Sequence, residues 1–139
     1  SAPAIADYAA ELLAADGLDL TEKDSYIDSR EKVHFNRLSA AERKALIEKN
    51  PAYGRVICRC ETVTEGEILD AIHSPIPPVS VDGIKRRTGA GMGRCQGGFC
   101  GPRVVDLLAR ELGVSPLTIL QDRDGSEILT AYTKGEVRA

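Results

Sequence analysis

The sequence has 139 residues, with 18 basic and 21 acidic side chains for a net charge of −3, and is 42% hydrophobic and 28% charged. That balance suits a soluble globular chain with one modest core. No apolar run approaches the ~18 residues a membrane span requires, and no signal-peptide pattern opens the chain. The first residue is Ser1 rather than Met, and a helical pattern starts almost at once, so the sequence reads as a piece of a longer protein.

Charge is uneven along the chain. Residues 1–50 hold ten acids and seven bases, 51–110 six acids and eight bases, and 111–139 five acids and three bases. The middle is therefore locally basic, through Arg55, Arg59, Lys85, Arg86, Arg87, Arg94, Arg103 and Arg110. Such a run is either a solvated mixed face or compensation for an anion held nearby.

In "APAIADYAAELLAADG" the spacing puts Ile5, Tyr8, Ala9, Leu12 and Leu13 on one helical face, with Pro3 near the start and Gly17 past the end. Leu18 to Arg37 is polar and aperiodic, an extended arm or linker. A short helix follows in "SAAERKALIEKN", where Ser39 and Glu42 form a capping box. In "VTEGEILDAIHS" Thr64 caps, Glu67 reaches back, and Val63 is placed to staple to Ile68. "SPIPP" stops that helix. "VSVDGIKRRTG" repeats the logic, with Ser80 as cap and Val79 facing Ile84.

Next comes the glycine loop "GMGRCQGGFCG". In "GPRVVDLLARELG", Pro102 suits a first helical turn and Gly113 an end, and Val104, Val105, Leu108 and Leu112 make the apolar stripe. "SPLTILQ" starts one more turn at Ser115, and "SEILTAYTKGEV" is a short strand or a tail. The expected fold is mostly α with at most one small β element. Its helices are too short to bury a large core alone, and a metal is the common staple for a domain of this size.

The chain has four cysteines, Cys58, Cys60, Cys95 and Cys100, spaced C-x-C, 34 residues, C-x4-C. Four thiolates suit a tetrahedral zinc or an iron–sulfur cluster. Two disulfides are the purely structural alternative, but neighbours in C-x-C bridge poorly to each other and nothing marks a secreted chain. Redox catalysis through C-x-x-C lacks its motif.

Zinc knuckles favour C-x2–4-C. A C-x-C pair instead sets alternate side chains of an extended segment on one side. Gly93, Gly97, Gly98 and Gly101 let backbone N–H donors approach a bulky anionic core, and Cys100 stands where a helix N-terminus favours an anion. These features favour iron–sulfur, with a structural four-cysteine zinc module as the alternative.

"GAGMGR" is not a dinucleotide fingerprint, because Arg94 stands where the third glycine belongs. No P-loop follows it. His34 and His73 are not needed as ligands beside four cysteines, and His73 suits a helix's last turn. A helix-turn-helix interaction or DNA-binding module is the alternative of another class, resting only on "IKRR". No residue is placed as nucleophile, general base or hydride acceptor.

"CRCETVTEGEI", the 34-residue gap and "GMGRCQGGFCG" together resemble the [2Fe–2S]-binding domain of the bacterioferritin-associated ferredoxin (BFD) type, a small helix-turn-helix-like module. The resemblance covers residues 54–112. Stand-alone ferredoxins of this type have C-x2-C at the second pair. The C-x4-C version resembles the C-terminal domain of FAD-dependent oxidoreductases similar to anaerobic glycerol-3-phosphate dehydrogenase.

That resemblance implies that Cys58, Cys60, Cys95 and Cys100 are the ligands of one [2Fe–2S] cluster, each sequence pair holding one iron. Residues 1–50 would be a helical arm, with "SAPAIADYAAELL" similar to the end of a preceding FAD domain. Residues 51–121 would be the cluster domain and 122–139 a tail. FAD would sit in the parent protein and not in these residues.

The implied partners are the parent's own FAD domain and an electron-acceptor protein or quinone-linked subunit, with no nucleic acid and no direct membrane span. The implied location is the cytoplasm, or the inner-membrane periphery through a partner subunit.

Overall fold

The computed structural model describes residues 1–26, 29 and 31–133. It has two compact units, Ser1–Lys32 and Val33–Ala139. Its α-helices and one two-stranded sheet confirm a mostly α chain.

The first unit contains α1, Ala2–Ala15, with Pro3 in its first turn. It closes at Gly17, whose φ of +90° needs no Cβ, and Leu18 N–H returns to Leu13 O at 3.0 Å. Ile5, Tyr8, Leu12 and Leu13 are exposed.

The second unit opens with a 3₁₀ turn, Phe35–Arg37, inside the stretch expected to be an arm. Phe35 is buried, its N–H donates to Glu67 Oε1 at 3.1 Å, and the Arg43 guanidinium lies over its ring at 5.2 Å. One aromatic in a polar run has no periodicity, so its burial leaves no pattern to read. α2, Ala40–Lys49, starts with the Ser39–Glu42 capping box. A 3₁₀ turn, Pro51–Gly54, leads into β1, Val56–Cys58, which pairs antiparallel with β2, Val63–Thr64.

α3, Glu65–Ile72, carries the second capping box, Thr64–Glu67. Val63 and Ile68 are both buried in the core, as the staple requires. α4, Val81–Thr88, is capped by Ser80, whose Oγ accepts from Gly83 N–H at 3.1 Å. The Val79–Ile84 staple does not form: Val79 is 63% exposed and Ile84 fully buried. Pro78 is buried instead, so close to Gly83 that a Cβ there would meet Pro78 Cβ at 2.9 Å.

α5, Gly101–Leu112, buries Val104, Val105, Leu107, Leu108 and Ala109, and ends at Gly113 with φ +66°. With Ile68, Ile72 and Ile84 this helix makes the core, and Leu112 packs at its edge. A 3₁₀ turn, Pro116–Thr118, brings the chain back to the start of α4. There Val81 and Asp82, whose N–H groups have no partner inside the helix, donate to Leu120 O at 3.1 Å and Gln121 O at 2.8 Å. Leu120 also bridges Glu127 antiparallel, so the stretch after Gly125 begins as a one-residue strand contact. Residues 134–137 of the expected strand or tail lie outside the described residues.

Candidate metal centre

The β1–β2 hairpin presents the first cysteine pair. Cys58 ends β1 and is 1% exposed, within the apolar core. Cys60 is not on an extended segment, as its spacing suggested; it sits in the turn Arg59–Thr62 and is exposed. The turn closes at Thr62, which takes a positive φ of 54°, just before β2 begins. Asn36 Nδ2 donates to Glu61 O at 3.3 Å and fastens the turn from outside.

The second pair lies on the glycine loop between α4 and α5. Gly89, Gly91 and Gly97 all have positive φ, which lets the loop coil tightly. Its bonds are short-range: Met92 N–H to Gly89 O, Gln96 N–H to Gly93 O, and Gly101 N–H to Gly97 O at 2.7 Å. Cys100 is the N-cap residue of α5 and only 2% exposed, while Cys95 is half-buried.

The fold brings these distant pairs together. Cys60 Sγ lies 3.6 Å from Cys95 Sγ across 35 positions of sequence. Cys58 and Cys100 are both buried in the interior, within one apolar cluster. All four thiols are free in this structure.

The environments of the two pairs differ. Phe99 N–H donates to the Cys95 sulfur, the Cys60 thiol bonds it too, and the Gly97 and Gly98 N–H groups add to them; together they lower the Cys95 pKa. Burial pushes the Cys100 thiol up to about 11, with the neighbouring Cys58 adding to the rise.

The expected roles of the glycines divide. Gly98 N–H donates to the Cys95 carbonyl at 3.0 Å, and both Gly97 and Gly98 turn their N–H groups toward Cys95. Gly93 supplies space, since a Cβ there would overlap Cys60 Cβ and come within 2.9 Å of Glu61 Oε1. Gly101 donates to the loop itself. The Phe99 donor has no sequence signal, because every non-proline residue carries an N–H and only the loop's coiling aims it.

Several bases of the basic middle are committed elsewhere. Arg55 Nε and Arg110 Nη2 grip the buried Glu65 carboxylate at 2.5 and 3.1 Å. Arg86 pairs with Asp122 at 2.5 Å, and Arg87 donates to the carbonyls of Ile76 and Gly83. The "IKRR" run is thus largely occupied within the fold. Arg59 and Arg94, each beside a cysteine, make no ion pair among the described residues. His73 caps α3 and bonds Glu111 at 2.9 Å, the helix-end role expected of it.

Comparison with known proteins agrees with this arrangement. Residues 56–110 match the BFD-like [2Fe-2S] binding domain. The chain is 48% identical to a glycerol 3-phosphate dehydrogenase of Caloramator mitchellensis over 139 residues, 99% of this chain and 29% of that protein. It is 38% identical to hydrogen cyanide synthase subunit HcnB of Pseudomonas aeruginosa over 95 residues, covering 60% of this chain and 20% of the relative. With a subunit of the anaerobic glycerol-3-phosphate dehydrogenase of Escherichia coli K12 it shares 36% over 66 residues, 48% of this chain and 12% of the relative. The chain thus spans less than a third of each of these relatives. No solved structure matches it. Residues 56–110 belong to the BFD-like [2Fe-2S] binding domain family, and the chain carries an iron–sulfur electron-transfer domain.

Proposed function

We propose that Cys58, Cys60, Cys95 and Cys100 ligate one [2Fe–2S] cluster that relays electrons from an FAD domain of the same parent chain to an acceptor. The acceptor would be a protein or a quinone-linked subunit, and the parent an oxidoreductase of the glycerol-3-phosphate dehydrogenase type. The observation that carries this is the convergence of two cysteine pairs from opposite ends of the domain, with Cys60 and Cys95 sulfurs 3.6 Å apart.

The donor set fits a dinuclear core better than a single zinc. Cys60 and Cys95 meet at the surface while Cys58 and Cys100 are buried in the core, so the four thiols spread over two positions. N–H groups of Phe99, Gly97 and Gly98 turned toward Cys95 suit a cluster that carries negative charge. When bound, the cluster supplies one-electron transfer. The protein holds its sulfurs, shields Cys58 and Cys100 from water and leaves Cys60 at the surface. Substrate oxidation belongs to the flavin-bearing part of the parent.

Iron, zinc and acid-labile sulfide per chain test the reading after anaerobic reconstitution. About two irons and two sulfides are expected. Stoichiometric zinc without sulfide would reject it in favour of the structural zinc module. The 139-residue chain alone should retain no flavin and oxidise no glycerol 3-phosphate, since it lacks a dinucleotide fingerprint. Retained flavin or turnover by this chain would overturn the assignment of that chemistry to another domain.

A further inference from the structure

The sequence pairs its cysteines as 58 with 60 and 95 with 100, but the structure pairs them otherwise. Cys60 meets Cys95 at 3.6 Å, and Cys58 and Cys100 lie together in the buried core. Thiolates sharing one tetrahedral iron must approach each other this closely: with iron–sulfur bonds near the ~2.3 Å of a metal–thiolate, tetrahedral geometry puts the two sulfurs somewhat under ~4 Å apart. Thiolates on opposite irons are held farther apart by the bridging sulfides.

Resting on the ligand set proposed above, we infer that the irons are divided across the sequence pairs: Cys60 and Cys95 hold one iron at the surface, Cys58 and Cys100 the other in the core. Each iron then ties the hairpin to the glycine loop, and loss of either breaks the same long-range closure.

The two ligand pairs are also electrically unequal. Cys58 and Cys100 are 1% and 2% exposed, among apolar side chains. Cys60 is exposed and Cys95 only half-buried. Solvent exposure stabilises added negative charge. When a one-electron reductant converts the diferric cluster to the mixed-valence form, Cys60 and Cys95 are therefore the ligands of the ferrous iron. Cys58 and Cys100 stay on the ferric one. The electron is then held at the surface rather than in the core.

The test uses the reconstituted chain enriched in ⁵⁷Fe, reduced with dithionite, with each cysteine replaced by serine in turn. Mössbauer spectra separate the ferrous and ferric subsites. Cys60→Ser and Cys95→Ser should each shift the ferrous doublet and leave the ferric one, and Cys58→Ser and Cys100→Ser should do the reverse.

Perturbation of one subsite by both Cys58→Ser and Cys60→Ser would overturn the division while leaving the cluster assignment standing. Failure of the wild-type chain to take up iron and sulfide would overturn both. For a variant that does not assemble, the cysteine β-proton resonances of the reduced wild-type protein give the same decision. Those of Cys60 and Cys95 should fall together in the ferrous-bound set, and a set joining Cys58 with Cys60 would sink the inference.

Discussion

Gly93 lies against Cys60 so closely that a Cβ on the glycine would overlap the cysteine's own Cβ. The loop and the hairpin turn can meet only because that side chain is missing. Gly93→Ala should therefore push Cys95 away from Cys60 and weaken cluster retention. The control is Gly101→Ala, where an added Cβ has no atom within 4 Å and the backbone is already helical. Visible absorbance after desalting should fall for the first variant and hold for the second. Equal retention would show that the close approach is not needed.

Phe99 contributes its backbone, not its ring, to the site. The side chain is 80% exposed, while its N–H is the main influence lowering the Cys95 pKa. Phe99→Ala should leave iron content and reduction potential close to wild type. Phe99→Pro removes the donor, a bond worth about 0.5–1.5 kcal/mol, and should lower the potential because the reduced cluster loses more than the oxidised one. Protein-film voltammetry of the two variants separates these outcomes.

Glu65 is buried at the start of α3 between Arg55 and Arg110, and the Arg55 hydrogen bond leads the lowering of its pKa. A carboxylate depressed on folding stabilises the protein above its unfolded value of about 4.5, and that contribution is lost as pH falls through the lower folded value. Glu65→Gln should cost about 1–2 kcal/mol at pH ~7. The figure is modest because both arginine side chains are more than half exposed and rehydrate when released. Urea titrations should show the gap between wild type and variant closing in acid. A gap that stays constant with pH would mean the ion pairs add nothing.

The cluster-free protein should lose order first from Gly89 to Gly101. Every loop N–H bond described there is short-range, and fixing each residue costs roughly 1–2 kcal/mol of backbone entropy. A cluster that binds only the folded arrangement adds its binding free energy to stability. α5 should persist longer, because Val104, Val105 and Leu108 still pack with Ile68, Ile72 and Ile84. Hydrogen exchange on matched holo and apo samples reads both. Equal protection of the loop amides in the two forms would show that the fold holds the loop without the cluster.

What the residues determined by themselves was local. The capping boxes at Ser39–Glu42 and Thr64–Glu67, the cap at Ser80, and the helix ends at Gly17 and Gly113 all formed. Each depends on groups within a few positions of one another, so spacing alone specifies it. The candidate site was legible for the same reason: two tight cysteine pairs in an otherwise cysteine-free chain. Tertiary structure decided the rest. It buried Pro78 where Val79 was expected to staple, drew Phe35 out of a polar arm, and used Leu120 and Gln121 to satisfy the start of α4. Above all it set Cys60 on Cys95 and buried Cys58 and Cys100 in one core. Which sulfur meets which depends on where a hairpin turn and a glycine loop, 35 positions apart, come to rest on a shared core, and no local spacing carries that information.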